Sequence, residues 1–203
     1  MLGTLEYYLI AVNILGFILY GINTLLYRHT ANGQIDTVLT FTSLLGGSLG
    51  MVLCMLLFDR KPVKENMMSR VFIACVLVIQ VVAYLFFKGA RGREITFAFW
   101  EFFAAHKYLI IYLLVINVVT LITFGIDKLN AVEHRRRIRI ITLLGLAFLG
   151  GSLGGLIAMY AFRHKTKKDY FTVGIPLIMV MQVVVIFYLM KSTVYKGLHR
   201  VTV

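Results

Sequence analysis

The chain has 203 residues, 60% of them hydrophobic and only 15% charged, with a mean hydropathy of +0.84, which lies outside the range of soluble domains of this size. Its formal net charge of +12 comes from 21 Lys and Arg residues set in short clusters between apolar runs, so the charge reads as membrane flanks and contact with anionic lipid headgroups. A nucleic-acid partner is excluded on the same ground, because no basic soluble domain is left once the apolar runs are removed.

Six runs follow in order. Leu5 to Leu26 is the first; at ~1.5 Å per residue it covers a hydrocarbon core of ~30 Å. Glu6, with no Lys or Arg before Arg28, is wrong for a cleaved signal peptide, so this run is expected to stay as a span. A polar link over 27–36 contains the turn-prone Asn32-Gly33 pair. The second run, about Thr37 to Phe58, stops at Asp59-Arg60-Lys61-Pro62. Val71 to Phe87, the third, carries the polar Gln80. Residues 88–106 mix charge and aromatics, from Lys88 and Arg91 to Phe97, Trp100, Phe103 and His106; they read as an interfacial linker, with Phe97–Phe103 a surface open to a protein partner. The fourth run is Tyr108 to Ile126, the fifth about Ile138 to Phe162 and the sixth Phe171 to Met190, whose entry Gly174 and Pro176 are expected to kink. A short basic tail closes the chain. Cys54 and Cys75 fall inside apolar runs and read as packing residues.

The chain contains one unit written twice. Gly46-Gly47-Ser48-Leu49-Gly50 returns 104 positions later as Gly150-Gly151-Ser152-Leu153-Gly154. At that spacing Asn13 falls on Asn117 and Asn23 on Asp127; at a spacing of 102, Gln80 falls on Gln182. The predicted organisation is a first three-helix repeat over 1–87, a linker over 88–106 and a second repeat over 107–203. Three crossings per copy is an odd number. The expected fold class is therefore an all-α polytopic membrane protein, six transmembrane helices in two inverted three-helix repeats. The charge rule supports cytoplasmic termini only weakly, with 12 Lys and Arg on that face against 9 on the other.

The glycine segments allow three readings. Gly47, Gly50, Gly151 and Gly154 form small-residue stripes that let helix backbones approach closely, which favours tight packing of the second and fifth spans. A second reading breaks the helix at the glycines and exposes its backbone to a cavity. In the third, the segment is a re-entrant hairpin, which would return Arg163 to the side of Asp127 and make the repeats parallel.

Candidate pathway or packing residues are the polar ones at membrane depth: Asn13, Asn117, Ser48, Ser152, Gln80 and Gln182, with the four glycines beside them. A basic rim is expected from Lys128, Arg137, Arg163, His164 and Lys165, with the Asp127 carboxylate orienting a nearby arginine. Metal or cofactor motifs are absent, and no Ser or Cys nucleophile sits with a base. Arg163-His164 resembles the Arg-His-Pro of membrane methyltransferases that use S-adenosylmethionine, but Lys165 replaces the proline and no Glu-Glu pair follows. An enzyme is thus the least favoured class. The first expectation is a passive channel or facilitator for a small ion or solute, anion-leaning because of the basic rim. A structural or accessory subunit that docks a transporter or lipid enzyme, or an oligomer of the chain, stands close behind.

Over about residues 108–190 the chain resembles the bacterial membrane family called domain of unknown function 1294 (DUF 1294). The residues that carry this are Phe124-Gly125-Ile126-Asp127-Lys128, Ala131, Arg137-Ile138, Leu149 to Gly154, Phe162 to Lys168, Phe171 and Pro176. Arg139 and Ile140 stand where that family has a Pro or Ser and an acidic residue. The first half resembles a degenerate copy. The resemblance implies a multi-pass protein of the bacterial cytoplasmic membrane and carries no established activity.

Overall fold

The structure, a computed structural model, describes residues 3–29, 35–60, 64, 66–89 and 99–201, with the side chains of 88, 89, 99, 101 and 191–201 excepted. Lys61, Pro62, Asn32, Gly33 and the 90–98 part of the linker, including Arg91 and Phe97, lie outside the described residues. Among the described residues every regular element is a helix. Six stretches are long and apolar enough to cross a membrane: Thr4–His29, Asp36–Phe58, Met67–Phe87, Lys107–Val132, Ile140–Ala161 and Asp169–Met190. The expected class, an all-α protein of membrane type, is the one found. Large apolar side chains such as Leu15, Phe41, Leu56, Leu114, Leu129 and Tyr160 point outward, as they do where lipid replaces water around a protein.

The chain divides into two compact units, Met1–Val81 and Val82–Val203. Unit 1 contains α1 (Thr4–His29), α2 (Asp36–Thr42), α3 (Ser48–Phe58) and most of α4 (Met67–Gly89). Unit 2 contains α5 (Phe99–Ala105), α6 (Lys107–Val132), α7 (Ile140–Leu146), α8 (Ser152–Ala161), the single turn α9 (Asp169–Thr172) and α10 (Gly174–Val201). The sixth predicted run is interrupted before Gly174, where the proline was expected to disturb it.

Neither the second nor the fifth stretch is one rod. Wide turns at Ser43–Gly47 and Ala147–Gly151 join α2 to α3 and α7 to α8, and inside them Gly46 has φ +114° and Gly150 φ +128°. That left-handed backbone costs a residue with a Cβ about 1–2 kcal/mol, and glycine adopts it freely. A helix that meets such a residue stops. The direction of the chain on either side follows from its neighbours. In unit 1, α2 starts beside the end of α1, where the Ile35 N–H donates to Asn23 Oδ1 at 3.0 Å. It finishes beside the beginning of α1, where the Tyr8 hydroxyl donates to the Leu45 carbonyl at 2.8 Å. From there α3 runs back: Gly47 lies against Val12 and Gly16, Gly50 against Asn13, Cys54 against Gly21, and Asp59 against Tyr20.

Unit 2 repeats the path. The Ile138 N–H meets Asp127 (2.8 Å), the Leu149 carbonyl meets the Tyr112 hydroxyl (2.5 Å), Gly154 packs on Asn117, and His164 returns to Asp127 (2.9 Å). In each unit the middle stretch is therefore a helical hairpin whose tip lies in the first half of the first helix, beside Val12 and Gly16 in unit 1 and Leu113 and Ile116 in unit 2, and whose two ends meet near its finish. Each arm is about 10 residues, ~15 Å at ~1.5 Å per residue. Of the three readings of the glycine segments, the hairpin is the one realised, and it uses close glycine packing to hold its second arm. Within each unit the three runs are therefore two long helices and one hairpin.

Candidate functional site

A hairpin tip in hydrocarbon leaves the last carbonyls of its first arm and the first N–H groups of its second arm without helical partners, each costing several kcal/mol if unmet. The polar residues singled out in the sequence meet this need. In unit 2 the Gln182 amide donates to the carbonyls of Ala147 (2.6 Å) and Phe148 (3.2 Å). The Asn117 amide donates to the carbonyl of Gly150 (3.0 Å), while its own oxygen accepts the Gly154 N–H (2.7 Å). The Ser152 hydroxyl donates to Gln182 Oε1. Four consecutive carbonyls, from Ala147 to Gly150, thus have side-chain donors once Tyr112 is included.

Unit 1 repeats this for three consecutive carbonyls, Ser43 to Leu45. Gln80 donates to the carbonyls of Ser43 (2.6 Å) and Leu44 (3.3 Å), Ser48 donates to Gln80, and the Gly50 N–H donates to Asn13 (2.8 Å). Tyr8 and Tyr112, 104 positions apart, complete the sets; they lie in the repeat register but outside the polar types that single out the others. Replacing Gln182 with leucine is expected to strand two carbonyls and a hydroxyl and cost about 1–3 kcal/mol per stranded group at most. A thermal melt of the detergent-solubilised variant reads this. Gly47 and Gly151 sit at the crossing itself: a methyl group at Gly47 would press on the carbonyls of Val12 and Thr42, and one at Gly151 would overlap the Thr120 hydroxyl.

The open end of each hairpin, its mouth, gathers charge. In unit 2 Asp127 is fully buried; Oδ1 accepts the Ile138 N–H, and Oδ2 lies 2.6 Å from Lys165 Nζ and 2.9 Å from His164 Nε2. Lys165 Nζ also stands 4.8 Å above the Phe171 ring, which packs edge-on against Phe124 at 5.7 Å. Burial holds the Lys165 ammonium below the ordinary lysine range, against the opposing pull of Asp127. The turn out of α8 places these groups. The His164 N–H donates to the Met159 carbonyl, and Arg163 and Lys165 take left-handed φ values of +43° and +63°. Non-glycine residues hold such angles only when their surroundings fix them, which the Asp127 contacts do here.

The predicted basic rim divides in two. His164 and Lys165 turn inward to Asp127, Lys128 is half-buried, and Arg137 and Arg163 are exposed. Asp127 therefore binds the histidine and lysine after the hairpin, where the sequence pointed to an arginine. Unit 1 builds its mouth from other residues. Asn23, at the position matching Asp127, caps Ile35, and the buried Asp59 accepts from Tyr20 (3.1 Å) and Asn66 (2.7 Å) and pairs with Arg70 at 3.5 Å. Tyr20, Asp59, Asn66 and Arg70 were missed as a group, because the acid lies on the hairpin here and on the first helix in unit 2.

Unit 2 also carries an apolar groove of about 590 Å³ between α5, α6 and α8, lined by Trp100, Phe103, Leu113, Leu121, Leu153 and Asn117. Trp100 is 89% exposed, so the aromatic end of the linker borders this groove.

The sequence profile of a family described as a protein of unknown function, DUF1294, matches residues 117–171. That interval starts at the asparagine that holds the tip and ends at the phenylalanine beneath Lys165. The uncharacterized protein YsdA of Bacillus subtilis (strain 168) is 40% identical over 75 residues, which is 37% of this chain and 84% of the relative. No solved structure matches the chain. With that identity over most of the length of a relative, and with the profile spanning the hairpin and its mouth, the chain belongs to the DUF1294 family.

Proposed function

We propose that this protein is an accessory membrane protein that docks a partner within the bilayer, and that neither unit conducts. The observation that carries this reading is the use of every polar side chain named for a pathway. Asn13, Asn117, Ser48, Ser152, Gln80 and Gln182 are each bonded to the backbone or to one another at a hairpin tip. A group already bonded in this way offers nothing to a passing ion. Gly50 and Gly154 lie in backbone contact with Asn13 and Asn117, which leaves no gap between the first helix and the second arm for a solute to enter. The large outward apolar surface and the groove beside Trp100 are where a partner or lipid would sit. A bacterial cytoplasmic membrane is the setting this reading assumes.

Flux from proteoliposomes is the test. Leakage of chloride, phosphate, potassium and protons no faster than from empty vesicles is expected, together with a complex of fixed stoichiometry when the protein is extracted in mild detergent and weighed by native mass spectrometry. Selective flux of any of these above the empty-vesicle rate, abolished by Asn117→Leu in protein that still melts cooperatively, would restore the conduit. A monodisperse lone protomer without partner would also overturn the docking role.

A further inference from the structure

We infer that in each unit, taken by itself, the hairpin mouth faces the cytoplasm and the hairpin tip faces the opposite side. The argument goes through each unit by itself. In unit 1, α1 runs from tip level at Tyr8 to mouth level at Asn23. The hairpin starts and ends at the mouth, and α4 runs from mouth level at Asn66 and Arg70 back to tip level at Gln80. Two crossings return the chain to its starting side. In unit 2, α6 runs from tip level at Tyr112 to Asp127. The hairpin returns there, and α10 climbs from the level of Ile175, beside Gly155, to Gln182 at the tip. That is again two crossings.

The charge distribution gives an independent check. With this topology the mouth-side segments 28–36, 59–70, 127–139 and 163–168 carry 14 of the 21 Lys and Arg residues and the tip side carries 7. Three crossings per copy divide the same residues 12 to 9. The positive-inside bias is therefore two to one when each middle stretch is a hairpin, and nearly absent when it crosses. It also reverses the orientation expected from the sequence, placing the termini outside. The exposed Arg137, Arg139, Arg163, Lys167 and Lys168 then lie against the anionic inner leaflet.

Single cysteines at His29, Lys64, Arg136 and Lys167 on the mouth side, and at Gly3 and Lys107 on the tip side, read this directly. Native Cys54 and Cys75 are buried and give a low background. A membrane-impermeant maleimide should label His29→Cys, Lys64→Cys, Arg136→Cys and Lys167→Cys in inside-out vesicles but not in intact protoplasts, and Gly3→Cys and Lys107→Cys the reverse. As a second measurement free of those substitutions, alkaline phosphatase fused after Val203 should be active and a green fluorescent protein fusion dark. Labelling of Arg136→Cys and Lys167→Cys from opposite sides would show that the fifth stretch crosses and would overturn the hairpin topology. Labelling of all four mouth positions from outside would overturn the orientation.

Discussion

Gly154→Ala is expected to destabilise the protein by about 3 kcal/mol, one of the largest effects of any single methyl group in the chain. The new methyl would overlap the Asn117 carbonyl oxygen, which belongs to the helix backbone and cannot swing aside as a side-chain end would. Relief requires α8 to move away from α6. That movement also lengthens the Gly154 N–H bond to Asn117 Oδ1, so packing and hydrogen bonding fail together. Gly50→Ala meets the Asn13 carbonyl in the same way and should behave alike. Gly145→Ala is the control: nothing lies within 4 Å of its added methyl, and alanine's higher helix propensity, worth up to ~1 kcal/mol, should leave stability unchanged or raised. Thermal melts in one detergent compare the three. If Gly154→Ala melts with wild type, the second arm of the hairpin does not pack on Asn117.

The second large effect is expected at the unit 2 mouth. Asp127→Asn removes the counter-charge of a lysine that is itself mostly buried, and a broken buried pair costs about 3–5 kcal/mol because a charge is left without compensation. The amide still accepts the Ile138 N–H, as Asn23 does for Ile35 in unit 1. Loss of the ion pair is therefore separated from loss of the cap. Adding Lys165→Met takes away the stranded ammonium, which stands over Phe171, while keeping an apolar side chain of similar length. The double variant should recover most of the loss, a strong non-additivity between neighbours. Were the double variant as unstable as Asp127→Asn, the pair would not be what holds the mouth.

Much of this was legible in the residues. Six apolar runs fix the solvent in which the protein folds, since length and hydropathy are sums over local sequence and need no partner. The 104-residue register pairs Asn13 with Asn117 and the two glycine segments, and both pairs prove to do the same structural work. The same register also put Asn23 opposite Asp127, a match whose meaning, an acceptor for the first N–H of the hairpin, depends on where the chain comes back. Lys165 as the partner of Asp127 was not legible. Arg135, Arg136, Arg137, Arg139 and Arg163, five arginines that follow Asp127, all lie nearer to it in sequence, and only the fold-back brings residue 165 within 2.6 Å.

What the sequence alone determined is composition-like: a helical, lipid-embedded chain, duplicated, with glycines and amides at matched places. What the tertiary structure decided is direction. The 22-residue stretch Ile140–Ala161, with five glycines inside it, satisfies the length needed to cross, and nothing local says whether the chain continues beyond the glycines or turns back. The choice rests on long-range partners. Gln80 and Gln182, Tyr8 and Tyr112, and Asn13 and Asn117 supply the hydrogen bonds that a hairpin tip lacks in hydrocarbon.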